Sequence, residues 1–308
     1  MSAVPLPAVG VVGLGHMGGA IAERLLAYGF AVRGFDVRPE AVRRLLSDGL
    51  IEARSPAEAA AESGVVLLSL PSTSASLESV MGTAGVLAAA HTGLVLVETS
   101  TVEVRHVRRL ADECSQRGVA FLDAAVTGTA ARAREGRLHL IVGGAIDNVS
   151  ACEPVFGVIA SRVSHVGPRP GAGMMVKLVN QLLGFVNIVA GLEALVLAAR
   201  AGRELDVDLS TVYDVVAESS GGSAVWRDII GRLLEGKAIG AGMTVLHKDP
   251  SLAVALAREF DVPVPVLDAA LAEISEWKRL GLAEEDLLEV VHHLQQEFGL
   301  ALSGSRTE

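Results

Sequence analysis

The sequence predicts a doubly wound, mostly parallel α/β domain over residues 1–168, followed by an all-α domain over residues 169–308. Three observations predict it. Short, continuously apolar, β-rich runs alternate with helical stretches as far as Val142, the pattern of a parallel sheet covered on both faces. The cluster Gly167-Pro168-Arg169-Pro170-Gly171 then breaks the pattern, and beyond it the chain reads as helix after helix. Half of the 308 residues are hydrophobic, enough to bury a sizeable core.

In chain order, Val9 to Val12 is the first strand and ends at a glycine-rich turn, after which Ala20 to Ala27 has helical spacing. Further strands are expected at Ala31 to Phe35, Val65 to Leu70 (stopped by Pro71), Leu94 to Val97, Val119 to Leu122 and Leu138 to Val142. The second half is expected to hold helices over Gly173 to Ala201, Asp208 to Ser219, Ala224 to Leu234, Pro250 to Phe260, Pro263 to Leu280 and Ala283 to Phe298. A frayed tail is expected after Leu302.

Composition narrows the function. A formal net charge of −10 argues against a nucleic-acid surface, which needs clustered Lys and Arg. The two cysteines, Cys114 and Cys152, have neither metal nor disulfide-framework spacing, so a reducing cytoplasm is the expected location. The eight histidines show no ligand spacing, and no metal is expected. Met1 to Ala8 lacks a basic region and runs into the first strand, so it reads as strand and not as signal peptide. Leu178 to Ala199 is long enough to span a membrane, but Asn180, Gln181, Asn187 and Glu193 interrupt it; a helix buried between domains or subunits is the expectation, with no membrane partner.

Two motifs carry chemistry. The first is Gly13-Leu14-Gly15-His16-Met17-Gly18, between a strand and a helix. Glycines there allow a tight turn and close backbone approach to a pyrophosphate, which the helix N-terminus attracts. Asp36 closes the second strand about 20 residues on, where an acid reaches the ribose hydroxyls. The domain is therefore expected to be a Rossmann dinucleotide-binding domain. Asp36 would repel a 2′-phosphate and favours NAD, whereas Arg38 can turn toward that phosphate and leaves NADP open. The second motif is the helix start Gly171 to Gln181. At 100° per residue, Asn180, Gln181, Gly184, Asn187 and Gly191 fall within about 80° of Lys177, a polar and small stripe on an apolar helix. A lysine is costly to bury, so the stripe suggests a polar cleft where the amides hold a substrate and Lys177 exchanges its proton. The plainer alternative is a lysine snorkelling at a helix start beside glycines that permit close packing.

Four separated motifs in this order resemble the β-hydroxyacid dehydrogenase family, that of 3-hydroxyisobutyrate dehydrogenase and tartronate semialdehyde (2-hydroxy-3-oxopropionate) reductase, over nearly the whole chain. The motifs are Gly13 to Gly18, Leu70-Pro71 with Glu98-Thr99-Ser100-Thr101, the loop Asp123-Ala124-Ala125-Val126-Thr127-Gly128-Thr129, and Gly171 to Gln181 with the later pair Lys248-Asp249. The resemblance implies that Gly13, Leu14, Gly15, His16, Met17, Gly18, Asp36, Arg38, Leu70, Pro71, Thr101 and Lys248 contact the cofactor. It implies that Thr127, Gly128 and Thr129 bind a substrate carboxylate, and that Asn180, Gln181 and Lys248 complete the substrate site. Lys177 would take the hydroxyl proton during oxidation and return it during reduction, which asks for a neutral fraction of the amine. A homodimer or homotetramer is implied as well. The chain departs from the family at Ala125, Thr127, Thr129, Gln181 and Pro250, where proline, serine, glycine, asparagine and leucine are usual, and this bears on which acid is bound.

Other readings remain open at the level of sequence. An imine reductase resembles the family through the same turn and helical domain but usually lacks the lysine. A non-catalytic cofactor-binding module is the alternative of another class. Arg132, Arg134 and Arg137 offer either a second acid-binding group or a solvated turn; Ser219, Ser220, Ser223 and Trp226 offer a pocket wall or a capped helix start. His292 and His293 read as surface residues.

Overall fold

The computed structural model describes residues 6–240, 242–284 and 286–302. The frayed tail expected after Leu302, and the first five residues of the lead-in to the first strand, lie outside them. The chain divides into two compact units, Met1–Lys177 and Leu178–Glu308.

The first unit alternates strand and helix: β1 (Val9–Val12), α1 (His16–Ala27), β2 (Val32–Phe35), α2 (Pro39–Leu46), β3 (Ile51–Glu52), α3 (Pro56–Ala60), β4 (Val65–Leu68), α4 (Thr73–Met81), β5 (Val95–Glu98), α5 (Val104–Gln116), β6 (Ala120–Thr127), α6 (Ala130–Arg134), β7 (Leu138–Gly143), α7 (Ile146–Ile159) and β8 (Ala160–Gly167). The strands form one sheet in the order β3-β2-β1-β4-β5-β6-β7-β8. All pairs are parallel except β6 with β7. The order reverses between β1 and β4, which makes the carboxyl ends of those strands the switch point where such sheets bind ligands. β1, β4 and β5 are buried along their whole length, and this is why each is an unbroken apolar run.

The structure differs from the sequence expectation where local pattern and tertiary demand part. Helix α1 starts at His16, four residues before the helical spacing at Ala20, with Gly18 inside it as the motif implies and Gly19 beside it, where both allow close approach. Strand β6 continues to Thr127, beyond the expected end at Leu122; Asp123 looks like a stop but is fully buried and paired. Strand β3 has two exposed residues, too few to leave a pattern. The sheet's last strand, β8, is mostly exposed and polar along Ser161, Arg162, Ser164 and His165, so it carries no apolar run.

Helix α8 (Ala172–Leu205) leads into the helical unit, followed by α9 (Leu209–Ala217), a π turn at Trp226–Ile230 continued by α10 (Gly231–Leu234), then α11 (Met243–Glu259), α12 (Pro265–Arg279) and α13 (Leu288–Phe298). Helix α11 begins before Pro250, which the sequence suggested as a helix start but which lies within the helix. Helix α13 begins after Ala283, whose φ of +56° is not helical. Phe185, Ile188, Leu192 and Leu195 of α8 pack in one core with Trp226, Ile230, Ile274, Trp277 and Val290. Trp226 stacks on Tyr213 with ring centroids 5.8 Å apart and donates its indole N–H to the Tyr213 carbonyl at 3.1 Å. Ser223 Oγ accepts from the Trp226 amide at 3.0 Å, so this segment is a capped helix start with a packing tryptophan. By length and composition α8 could cross a membrane, with a mean hydropathy of 2.1 over its most apolar 18 residues. Phe185, Ile188, Val189, Leu192 and Leu195 are core residues of the helical unit, while Val179, Leu183, Leu197 and Leu205 are exposed.

Candidate active site

The turn after β1 has a geometry only glycine permits. Gly13 has φ +90°, and a Cβ there would lie 2.2 Å from the Ser69 carbonyl oxygen. A Cβ on Gly18 would lie 1.9 Å from the Gly13 carbonyl oxygen. The first turn of α1 is thereby held against the turn and the end of β4. Gly15 caps α1 without any side-chain acceptor, which leaves the positive end of the helix dipole suited to an anion. A Cβ on Gly15 would meet only the Arg38 guanidinium, at 3.5 Å. Such a cradle fits a pyrophosphate. His16 is exposed there and Met17 packs partly on the core.

Asp36 stands beside the turn. Its Oδ2 accepts from the Leu14 amide at 2.8 Å and its Oδ1 from the Arg38 amide at 2.9 Å, with Arg38 Nε 3.3 Å away. Burial raises its pKa, but the bonds from Arg38 and Leu14 outweigh burial and hold the carboxyl below its ordinary value. An ionised acceptor is thus fixed at the end of β2. The carboxyl ends of β4 and β5 bring in the other cofactor candidates. The Leu70 amide donates to Ser100 Oγ at 2.8 Å, Pro71 is exposed and Thr101 half-buried.

The loop after β6 holds Thr127, Gly128 and Thr129. Thr127 Oγ1 is buried and has no hydrogen-bond partner among the described residues. Gly128 has φ +137°, a conformation side chains rarely adopt. Thr129 Oγ1 accepts from the Arg132 amide at 3.4 Å and caps α6. Arg134 and Arg137 pair with Glu23 and Glu135 at the surface, the solvated-turn arrangement.

Lys177 is 7% exposed and lies near the start of α8. That start is tied to the sheet by Asp123, whose Oδ1 accepts from the Gly171 amide and Oδ2 from the Met174 amide, both at 2.7 Å. Gly143 and Gly173 make room for this clamp: a Cβ on either would fall within 3.0 Å of the Asp123 carboxylate. Further along α8, Asn180 Nδ2 donates to Gln181 Oε1 at 3.2 Å. Gln181 Nε2 donates to Asp249 Oδ2 at 2.6 Å, and Lys248 Nζ lies 3.2 Å from Asp249 Oδ1. Asp249, 4% exposed, is therefore the hub of the polar cluster in the helical unit. The sequence motifs include Asp249, Asp123 and Glu98, but of the pair Lys248-Asp249 only Lys248 carries an expected role, and Asp123 and Glu98 carry none. The available signal was a charged residue at a position patterned for burial.

Residues 8–167 match the family model described as the NAD-binding domain of 6-phosphogluconate dehydrogenase. Residues 171–294 match that described as the NAD-binding domain of NADP-dependent 3-hydroxyisobutyrate dehydrogenase. The chain belongs to the β-hydroxyacid dehydrogenase family. Among relatives, L-threonate dehydrogenase of Cupriavidus necator is 34% identical, covering 85% of this chain and 87% of its own. A 2-(hydroxymethyl)glutarate dehydrogenase of Eubacterium barkeri is 31% identical over 97% of this chain and 98% of its own. A solved structure of 3-hydroxyisobutyrate dehydrogenase from Mycobacterium tuberculosis, with L-serine, superposes with a TM-score of 0.83 at 26% identity, covering 94% of this chain and all of that one. This β-hydroxyacid dehydrogenase is accordingly an NAD(P)-dependent oxidoreductase acting on hydroxy acids. Among its described residues, no group of three or more His, Cys, Asp or Glu side chains is placed to hold a metal ion.

Proposed function

We propose that the enzyme interconverts a small 3-hydroxy acid and its semialdehyde, with Lys177 as general acid/base. One observation carries this reading: a lysine 7% exposed stands within two turns of a helix start that a buried carboxylate clamps to the sheet. Such placement is costly for a lysine with no task. Gly13, Gly15, Gly18 and Asp36 would hold a nicotinamide dinucleotide, which when bound would supply the hydride-transfer chemistry. In the oxidation direction Lys177 Nζ takes the substrate hydroxyl proton; in reduction it returns it. Asn180 orients the hydroxyl. Asp249 holds both Gln181 and Lys248, the remaining polar groups assigned to the substrate. The relatives' names point to acids with further polar groups, L-threonate and 2-(hydroxymethyl)glutarate.

The carboxylate falls to Thr127 and to the amides of Gly128 and Thr129. The Thr127 hydroxyl has no partner of its own, and that of Thr129, which accepts the cap bond of α6, keeps its proton to donate. Thr127→Val removes the donor without changing shape. A hydrogen bond to a charged group is worth about 1.5–3 kcal/mol, so KM for the acid is expected to rise about 10- to 100-fold. The melting temperature should stay level or rise, because a buried unsatisfied hydroxyl disappears. An unchanged KM in steady-state assays would remove Thr127 from the site.

We propose NAD as the preferred cofactor, because the ionised Asp36 is fixed where a 2′-phosphate would lie. We also propose that the protein is a cytoplasmic homodimer or homotetramer. Val179, Leu183 and Leu197 on α8 are 48%, 58% and 70% exposed, apolar surface of the kind that self-association covers. Light scattering on the eluting protein should give a multiple of the 31.9 kDa chain mass; the single-chain mass would contradict it.

A further inference from the structure

At the carboxyl end of the sheet, two fully buried acids sit side by side. Glu98 closes β5 and Asp123 lies in β6, and the two are register partners on adjacent parallel strands. Asp123 is the clamp on α8. Glu98 has bonds of a different kind. Its Oε1 accepts from the Ser100 amide at 2.9 Å, in the turn after β5. Its Oε2 is bonded to Ser76 Oγ on α4, and Ser76 Oγ lies 3.0 Å from His106 Nε2 on α5. Ser100 Oγ accepts the Leu70 amide from the turn after β4. One carboxyl thus joins both turns that carry the cofactor candidates Leu70, Pro71 and Thr101 to the helices behind them.

We propose that Glu98 is a positioning residue for the cofactor: its buried carboxyl, bonded to Ser76 Oγ and to the Ser100 amide, fixes the turns after β4 and β5 at the carboxyl end of the sheet in the shape that binds the dinucleotide. The inference rests on the proposed placement of those turns against the cofactor. The proton has a path. With Glu98 neutral, its O–H donates to Ser76 Oγ, and the Ser76 hydroxyl donates to His106 Nε2. With Glu98 ionised, Ser76 donates to the carboxylate and His106 Nε2–H donates to Ser76. The groups facing Glu98 favour the first state. Burial first, and the neighbouring Asp123 charge in the same sense, raise Glu98 to about 7 against the hydrogen bonds from Ser100 and Ser76. Asp123 is itself raised to about 6 by burial, against its backbone hydrogen bonds. Burial lowers the His106 pKa; Glu103 opposes and Arg109 assists. Two carboxylates this close in a dry site repel when both are charged. Raising the pH through about 7 therefore strains the two turns and adds negative charge near an anionic ligand.

The sign for folding follows from the raised pKa. The stability contributed by neutral Glu98 is present below the ordinary value of 4.5 and lost as pH rises through about 7.

The test titrates wild type, Glu98→Gln and Glu98→Ala with reduced nicotinamide dinucleotide by fluorescence from pH 6 to 8.5, with melting curves in parallel. Glutamine mimics the neutral acid: its oxygen accepts from Ser100 and its amide donates to Ser76. Wild-type affinity is expected to fall at least about threefold as the pH passes about 7, and Glu98→Gln to show neither this fall nor the parallel fall in melting temperature. Glu98→Ala should bind about tenfold more weakly at about pH 6, the scale of a lost neutral buried hydrogen bond. A Glu98→Gln profile superimposable on wild type overturns the proposal even if the alanine variant fails to fold, and so does wild-type affinity that is flat with pH. The readout is cofactor binding alone, so a failure of the 3-hydroxy acid reading would appear separately, as tight binding without turnover.

Discussion

Gly18→Ala is expected to abolish measurable dinucleotide binding in a protein that still folds its sheet. The added methyl would lie 1.9 Å from the Gly13 carbonyl oxygen and 2.9 Å from Ser69 Cβ. The first atom is backbone, so relief requires moving the turn itself. Inserting a methylene into a packed site costs about 1–3 kcal/mol. Here the displaced atoms belong to the anion cradle, so the cost falls on binding as well as on folding. A loss of affinity of about 100-fold or more is expected by fluorescence titration. Gly157→Ala is the control: it lies in α7 with nothing within 4 Å of its added Cβ, and should be neutral or slightly stabilising. Gly18→Ala protein that binds the cofactor as wild type does would refute the assignment of the turn.

Lys177→Ala is expected to lower turnover by about two to four orders of magnitude, the usual contribution of a positioned acid/base. Cofactor affinity should be retained, since the cradle is built from the turn after β1 and from Asp36. Lys177→Arg is expected to fail almost as badly. Arginine keeps the positive charge but cannot deprotonate at working pH, so this variant separates proton exchange from charge stabilisation. Turnover unaffected in the alanine variant would end the acid/base role; turnover restored by arginine would convert it into an electrostatic one.

Much of this site was legible in the sequence because its chemistry imposes local rules. A glycine turn between strand and helix, and an acid one strand later, are spaced by the dinucleotide. Lys177 stood out because a charged group interrupts an apolar helix. The motif residues to which the sequence assigned no role act across the fold. Asp123 looks like the end of a strand until Gly171 and Met174 are folded onto it. Glu98 looks like a solvated strand end until Asp123, Ser76 and Ser100 surround it. Asp249 is the second letter of a pair whose lysine drew attention, and only the approach of Gln181 reveals it as the hub. Strand β8 escaped notice for the opposite reason: an edge strand exposed on most of its residues has no burial to write into its sequence.

The most direct test of the central claim follows absorbance at the reduced-nicotinamide band. Purified enzyme is offered NAD or NADP with a panel of 3-hydroxy acids, including L-threonate, 2-(hydroxymethyl)glutarate, 3-hydroxyisobutyrate and L-serine, and the reverse reaction is run with short semialdehydes. Wild type should reduce NAD with at least one 3-hydroxy acid, prefer NAD to NADP, and lose that activity in Lys177→Ala. Cofactor binding without turnover of any acid or semialdehyde, or reduction of cyclic imines in their place, would contradict it.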